Sequence, residues 1–123
     1  MRVLIIEDEL ILLKMYRDKF ENSGFEVSTA VEGEEGLSRA INDQPDFIVL
    51  DLMMPKMDGI ELLKLLKQNE KTRDIPVAIL TVVAREQAPT LTDELLSKVT
   101  HYWMKDTTKP SDVVRDVKKY LKM

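Results

Sequence analysis

At four places the chain sets a chemically active side chain directly after a short apolar run. Val3 to Ile6 leads into Glu7 and Asp8, Phe47 to Leu50 into Asp51, Val77 to Leu80 into Thr81, and Tyr102 to Met104 into Lys105. Short runs bounded by polar residues read as buried strands. In a parallel sheet, sites form beyond the carboxyl ends of the strands, near where strand order reverses. If the first and third strands are neighbours, Glu7, Asp8 and Asp51 share one small cavity. Crowded carboxylates repel, and desolvation sharpens the repulsion. Protonation or a divalent cation relieves it. An oxygen-lined pocket without Cys or His suits a hard ion such as Mg²⁺. Lys105 would add a positive charge and Thr81 a hydroxyl donor. A carboxylate nucleophile, a metal ion, a lysine and a hydroxyl are together the parts for phosphoryl transfer to an aspartate.

Taken singly, each residue also has an ordinary structural role. Glu7 and Asp8 are acids that help start a helix. Asp51 is a turn or cap residue. Thr81 is a strand-end hydroxyl, Lys105 a surface lysine and Tyr102 half-buried packing. Their joint placement at the tips of the first, third, fourth and fifth strands selects the chemical reading. His101, the only histidine, reads as an edge or surface residue. The Met53, Met54 and Met57 cluster reads as loop packing.

The elements that must hold these positions alternate. A helix is expected from Glu9 to Asn22, with Leu12, Leu13, Tyr16 and Phe20 at helical spacing and Gly24 as a left-handed cap. Phe25 to Ala30 is a second strand. Glu34 to Asp43 is a helix with Leu37, Ala40 and Ile41 inward. After Phe47 to Leu50 comes a loop, Asp51 to Gly59. Ile60, Leu62, Leu63, Leu65 and Leu66 then face inward from a helix ending near Asn69. Pro76 introduces the strand Val77 to Leu80. A helix lies somewhere in Glu86 to Lys98, followed by the short strand Tyr102 to Met104. Pro110 fits the first turn of a last helix, where its missing N–H costs nothing; that helix buries Val113, Val114, Val117 and Leu121. The pattern predicts an α/β fold of five β-α units, with a five-stranded parallel sheet covered on both faces.

A chain of 123 residues is enough for one domain, 1–123, and one core. It is 44% hydrophobic and 33% charged, as in globular proteins and not disordered ones. No apolar run approaches a membrane span, and the N-terminus lacks the apolar stretch and cleavage site of a signal peptide. There are no cysteines, so no disulfide framework or thiolate metal site is available. A cytoplasmic location is the expectation. The net charge of −4 argues against direct nucleic-acid binding by this domain.

The chain resembles the receiver domain of two-component response regulators over essentially its full length. The pieces that carry the resemblance are Val3-Leu-Ile-Ile-Glu-Asp8, Ile48-Val-Leu-Asp51, Leu52-Met-Met-Pro-Lys-Met-Asp-Gly59, Leu80-Thr81 and Tyr102-Trp-Met-Lys105. The resemblance implies a doubly wound (βα)5, flavodoxin-like domain. It implies that Asp51 is the phosphoacceptor and Asp8 a direct Mg²⁺ ligand, with Glu7 acting mainly through the water shell of the ion. The backbone carbonyl of Met53 is implied as a further ligand. Thr81 resembles the hydroxyl residue that turns toward the phosphoryl group, Tyr102 the aromatic switch behind it, and Lys105 the lysine that pairs with the phosphoryl group. The implied partners are a sensor histidine kinase or histidine phosphotransfer protein and an unidentified output partner. A homodimer through the fourth helix, fifth strand and fifth helix is a further option. Such a domain is a regulatory phosphoacceptor and not an enzyme acting on foreign substrates.

Several positions depart from the family pattern. Asp106 follows Lys105 where the family usually has proline, so either a trans bond with a shifted loop or a strained cis bond is expected. Val82 stands where a small residue is usual, and its branched side chain is expected to slow attack by water on a phosphorylated Asp51. The stretch from Thr81 to Tyr102 is slightly long, contains Pro89 and lacks the usual glycine before the fifth strand. Proline is tolerated only in the first turn of a helix, so the fourth helix should start late or be irregular.

Two other readings remain open at this point. A pseudo-receiver would bind partners without using phosphorylation, and the departures at Asp106, Val82 and Pro89 support it. A small α/β enzyme is opposed by the lack of G-x-G-x-x-G and G-x-x-x-x-G-K-[ST] motifs.

Overall fold

The computed structural model describes residues 1–54 and 56–123. Pro55, part of the Asp51 to Gly59 motif, lies outside the described residues. Strands β1 (Arg2–Ile6), β2 (Glu26–Ala30), β3 (Phe47–Leu50), β4 (Val77–Thr81) and β5 (Tyr102–Met104) alternate with helices. The helices are α1 (Leu10–Asn22), α2 (Gly33–Asp43), α3 (Gly59–Gln68), α4 (Asp93–Leu96) and α5 (Pro110–Tyr120), with one 3₁₀ turn at Arg85–Gln87.

All strands are parallel, in the order β2-β1-β3-β4-β5. The first and third strands are thus neighbours, with Ile6 paired to Leu50, so Glu7 and Asp51 emerge side by side. The chain leaves β1 for one side of the sheet and returns on the other side as β3. That reversal makes the crevice at the carboxyl ends of β1 and β3 the expected site.

The fully apolar strands are buried on both faces because successive side chains point to opposite sides. Val3, Ile5, Val49, Ala78 and Leu80 pack with Leu13, Tyr16 and Phe20 of α1 and Val113, Val114 and Val117 of α5. Leu4, Ile6, Ile48, Leu50, Val77 and Ile79 pack with Ala40, Leu62, Leu63, Leu66 and Leu95 from α2, α3 and α4. Leu37, Ile41, Ile60 and Leu65, expected inward, are only partly buried, and so is Leu121, which follows the end of α5.

The helix ends follow local chemistry. After α1, the N–H groups of Gly24 and Phe25 donate to the carbonyls of Glu21 and Phe20, and Gly24 has φ +96°. This closes the helix with a left-handed glycine, and the rings of Phe20 and Phe25 meet edge to face at 5.1 Å. Asp58 caps α3 by accepting the N–H of Glu61 at 2.8 Å.

The fourth helix is a single turn. Pro89 has no N–H to donate and biases Ala88 away from helical geometry. The chain therefore spends one 3₁₀ turn before it and starts α4 only at the Thr92 cap, whose hydroxyl accepts the N–H of Leu95 at 3.1 Å. The late and irregular start expected from the sequence is what the fold contains. Among the described residues every peptide bond is trans, including Lys105–Asp106. No described helix is long and apolar enough to cross a membrane.

Candidate functional site

Three strand tips build the site. Glu7 and Asp8 follow β1, Asp51 follows β3, and Lys105 follows β5. The carboxylates of Glu7, Asp8 and Asp51 each offer an oxygen within 4.8 Å of the others. Glu7 and Asp51 are buried and Asp8 is exposed at the rim. Lys105 reaches across two strands. Its Nζ lies 2.5 Å from Oε1 of Glu7 and 3.1 Å from Oδ2 of Asp51. The substitution of Asp106 for the family's proline therefore leaves the lysine in contact with both acids.

The charges explain the local electrostatics. Burial raises the Glu7 carboxyl, the hydrogen bond from Lys105 opposes the rise, and the charge of Asp51 adds to it; the balance is about 7. For Lys105, burial works downward, but the hydrogen bond to Glu7 and the charges of Asp51 and Glu7 outweigh it and hold the ammonium above its ordinary value. Three clustered oxygen donors without nitrogen or sulfur fit a hard divalent cation, and the lysine substitutes for part of that charge.

The backbone around Asp51 is tightly fixed. Its Oδ1 accepts the N–H of Met53 at 3.2 Å, and the Met53 side chain is exposed. Gly59 opens α3 directly against this loop. A Cβ there would stand 2.2 Å from the Asp51 carbonyl oxygen and 2.6 Å from the Leu52 Cα. Only glycine allows the helix to approach this closely.

Among the described residues, neither the Thr81 nor the Tyr102 hydroxyl is hydrogen-bonded to Asp51. They converge instead on Val83. The buried Thr81 hydroxyl accepts the Val83 N–H at 3.2 Å, and the Tyr102 hydroxyl donates to the Val83 carbonyl at 2.5 Å. Leu50 pairs with Ile79, so Thr81 stands one step beyond the level of Asp51. Val82, next in the chain, is 58% exposed. His101 is half-buried and stacks on Trp103 at 4.9 Å, at the opposite end of β5 from Lys105.

Two contributors escaped the sequence reading. The sequence pattern places Gly59 at the end of a loop, although its position directly after Asp58 in the motif carries the signal. Helical spacing places Tyr16 on the apolar face of α1, which it does occupy. It also lines, with Glu7, Asp51 and Leu80, a cavity of about 10 Å³ beneath the acids, room for about one water. Burial pushes its phenol up. Nothing in helical periodicity distinguishes such a tyrosine from an ordinary core residue.

The model of the response regulator receiver domain matches residues 3–117. The chain belongs to this family. Among relatives of this receiver is the DNA-binding dual master transcriptional regulator RpaA of Synechocystis sp., 41% identical over 86 residues. That match covers 70% of this chain and 36% of RpaA. The polar-differentiation response regulator DivK of Brucella ovis is 39% identical over 82 residues, 67% of each chain. The receiver also superposes on a crystal structure of a CheY-like response regulator receiver domain protein from Methanospirillum hungatei JF-1. The TM-score is 0.85 at 26% identity, covering 98% of this chain and 93% of that one.

Proposed function

We propose that this receiver is a phosphorylation switch in which Asp51 accepts a phosphoryl group from a phosphohistidine. A carboxylate oxygen of Asp51 bonds to phosphorus as the P–N bond of the donor breaks. The observation that carries the reading is the convergence of Glu7, Asp8 and Asp51 within 4.8 Å, with Lys105 3.1 Å from Asp51. Asp8, Asp51, the Met53 carbonyl and, through water, Glu7 would hold Mg²⁺, which supplies charge to offset that of the phosphoryl oxygens. Lys105 is already bonded to Asp51 and moves with little cost to a phosphoryl oxygen attached there.

The switch follows from the two bonds to Val83. For Thr81 to donate to a phosphoryl oxygen, its hydroxyl must turn, which weakens its grip on the Val83 N–H. The Val83 peptide is also the acceptor for Tyr102, so the state of Asp51 and the packing of Tyr102 are mechanically linked. Phosphorylation then favours one arrangement of α4, β5 and α5 by differential contacts. The partners are a sensor histidine kinase or histidine phosphotransfer protein and an output partner reading that surface, with self-association through it as one form of output. The setting is the cytoplasm, and residues 1–123 act as one receiver unit without enzymatic turnover of other substrates.

A second reading, a pseudo-receiver that binds partners independently of phosphorylation, is favoured by the single-turn α4 and the exposed Val82. One experiment separates the two. Treatment with a small phosphodonor and Mg²⁺ is expected to add one phosphoryl mass, and Asp51→Asn is expected to abolish the gain. No gain in the wild-type protein leaves the pseudo-receiver as the better account.

A further inference from the structure

Away from the acid cluster, α3 and α4 enclose a groove of about 280 Å³. Lys64 and Lys67 of α3 line one side, and Thr92, Glu94, Leu95 and Lys98 the other. In a chain of net charge −4, this groove gathers three lysines against one glutamate.

One of the three positive charges is held in place, and the carboxylates of the chain do little to offset the set. Lys67 donates from Nζ to the carbonyls of Ile75 at 2.8 Å and Arg73 at 3.2 Å, which pins its ammonium at the groove. Burial pushes this amine down, Asp74 pulls it up, and the charge of Lys98 pushes it down again. Among the described residues, Lys64 and Lys67 have no carboxylate within 4.0 Å, and Lys98 has only Glu94, at 4.0 Å. Lys67 is half-buried and spends its donors on backbone carbonyls, whereas Lys64 and Lys98 stand exposed beside it. The groove thus presents an excess of positive charge that an outside anion can neutralise.

The lining also says what kind of group. No arginine is present, so planar two-point recognition of phosphate is not built in. Buried Leu95 and the lysine stems offer apolar walls between the charges. Carboxylates spaced by apolar side chains match both features. We propose that the α3–α4 groove docks an acidic segment of a partner protein, with Lys64, Lys67 and Lys98 pairing its carboxylates and Leu95 receiving an apolar side chain. The site shares no residue with the acid cluster and stands whether or not Asp51 is phosphorylated.

The test uses the unphosphorylated chain and a fluorescent synthetic peptide of alternating Glu and Leu. Saturable binding is expected, weakening as salt rises. Reversing the exposed pair, Lys64→Glu with Lys98→Glu, is expected to weaken binding about tenfold. Lys119→Glu with Lys122→Glu, an exposed pair at the end of α5, changes the net charge equally and is expected to leave binding within about twofold. Amide NMR shifts on peptide addition should concentrate in residues 60–68 and 92–99. No saturable binding, equal loss in both variants, or full displacement by equimolar inorganic phosphate would each overturn the assignment.

Discussion

The ammonium of Lys105 lies closer to Glu7, at 2.5 Å, than to Asp51, at 3.1 Å. The lysine is thus held by the acid at the neighbouring strand tip as well as by the proposed acceptor. Replacing Lys105 with Met leaves two buried carboxylates facing each other. The loss at pH 7.5 should be about 1–3 kcal/mol, limited because Glu7 can take up a proton. Urea unfolding checks this, and Mg²⁺ should recover most of the loss. A variant as stable as wild type without Mg²⁺ contradicts the role given to the lysine.

Glu7 titrates near 7 in the folded chain, against 4.5 for the ordinary group. Between these values the folded state holds a proton that the unfolded chain has released. Its contribution to stability is therefore complete below about 4.5, declines as pH rises through the window, and is gone above about 7. Metal binding needs the ionised acid, so Mg²⁺ affinity should fall by up to about tenfold per pH unit below 7 and level off above it. Calorimetric titrations at several pH values measure both the affinity and the proton released.

Gly59→Ala pushes a methyl group into the Asp51 carbonyl and the Leu52 backbone. Neither obstacle is a flexible side-chain end, so the expected loss is about 3 kcal/mol. Phosphorylation should slow in parallel, because the displaced atoms belong to the proposed acceptor residue. Thermal unfolding and mass spectrometry after phosphodonor treatment report the two effects separately.

Tyr102→Phe removes the donor to the Val83 carbonyl at a cost of about 1 kcal/mol. The cost should be local. Hydrogen exchange is expected to quicken at residues 82–92 and stay unchanged in β1 and β3. Uniform change across the sheet would show that Tyr102 acts only as core packing.

Val82 projects into solvent one residue beyond Thr81. Val82→Ala should speed loss of the phosphoryl group by uncovering it to water. Dephosphorylation rates of the two proteins decide the point, and equal rates remove the idea.

Most of this site was legible because parallel strands translate sequence into position with little ambiguity. An acid one residue past a buried strand must emerge at its carboxyl edge, and the order of apolar runs placed Glu7, Asp51 and Lys105 on one edge. What stayed hidden were contacts that cross elements. The bond from Lys105 to Glu7 spans two intervening strands. Tyr16 reaches the acids from beneath through a gap that no pattern along α1 reveals. The joint hold of Thr81 and Tyr102 on Val83 depends on the path of a loop. The reach of α4 was bounded by Pro89, but its single turn depends on where Thr92 could cap.

The brevity of α4 has a mechanical meaning. Four helical residues cannot sustain themselves in water, because the cost of nucleating a turn is recovered only over many more residues. This stretch persists through Leu95 seated in the core and the Thr92 hydroxyl that caps its first turn. It is a stitched ribbon and not a rod, so it has no axis to tilt as one body. News from the strand tips should therefore travel along it as melting or setting, on whichever stitch is cut first.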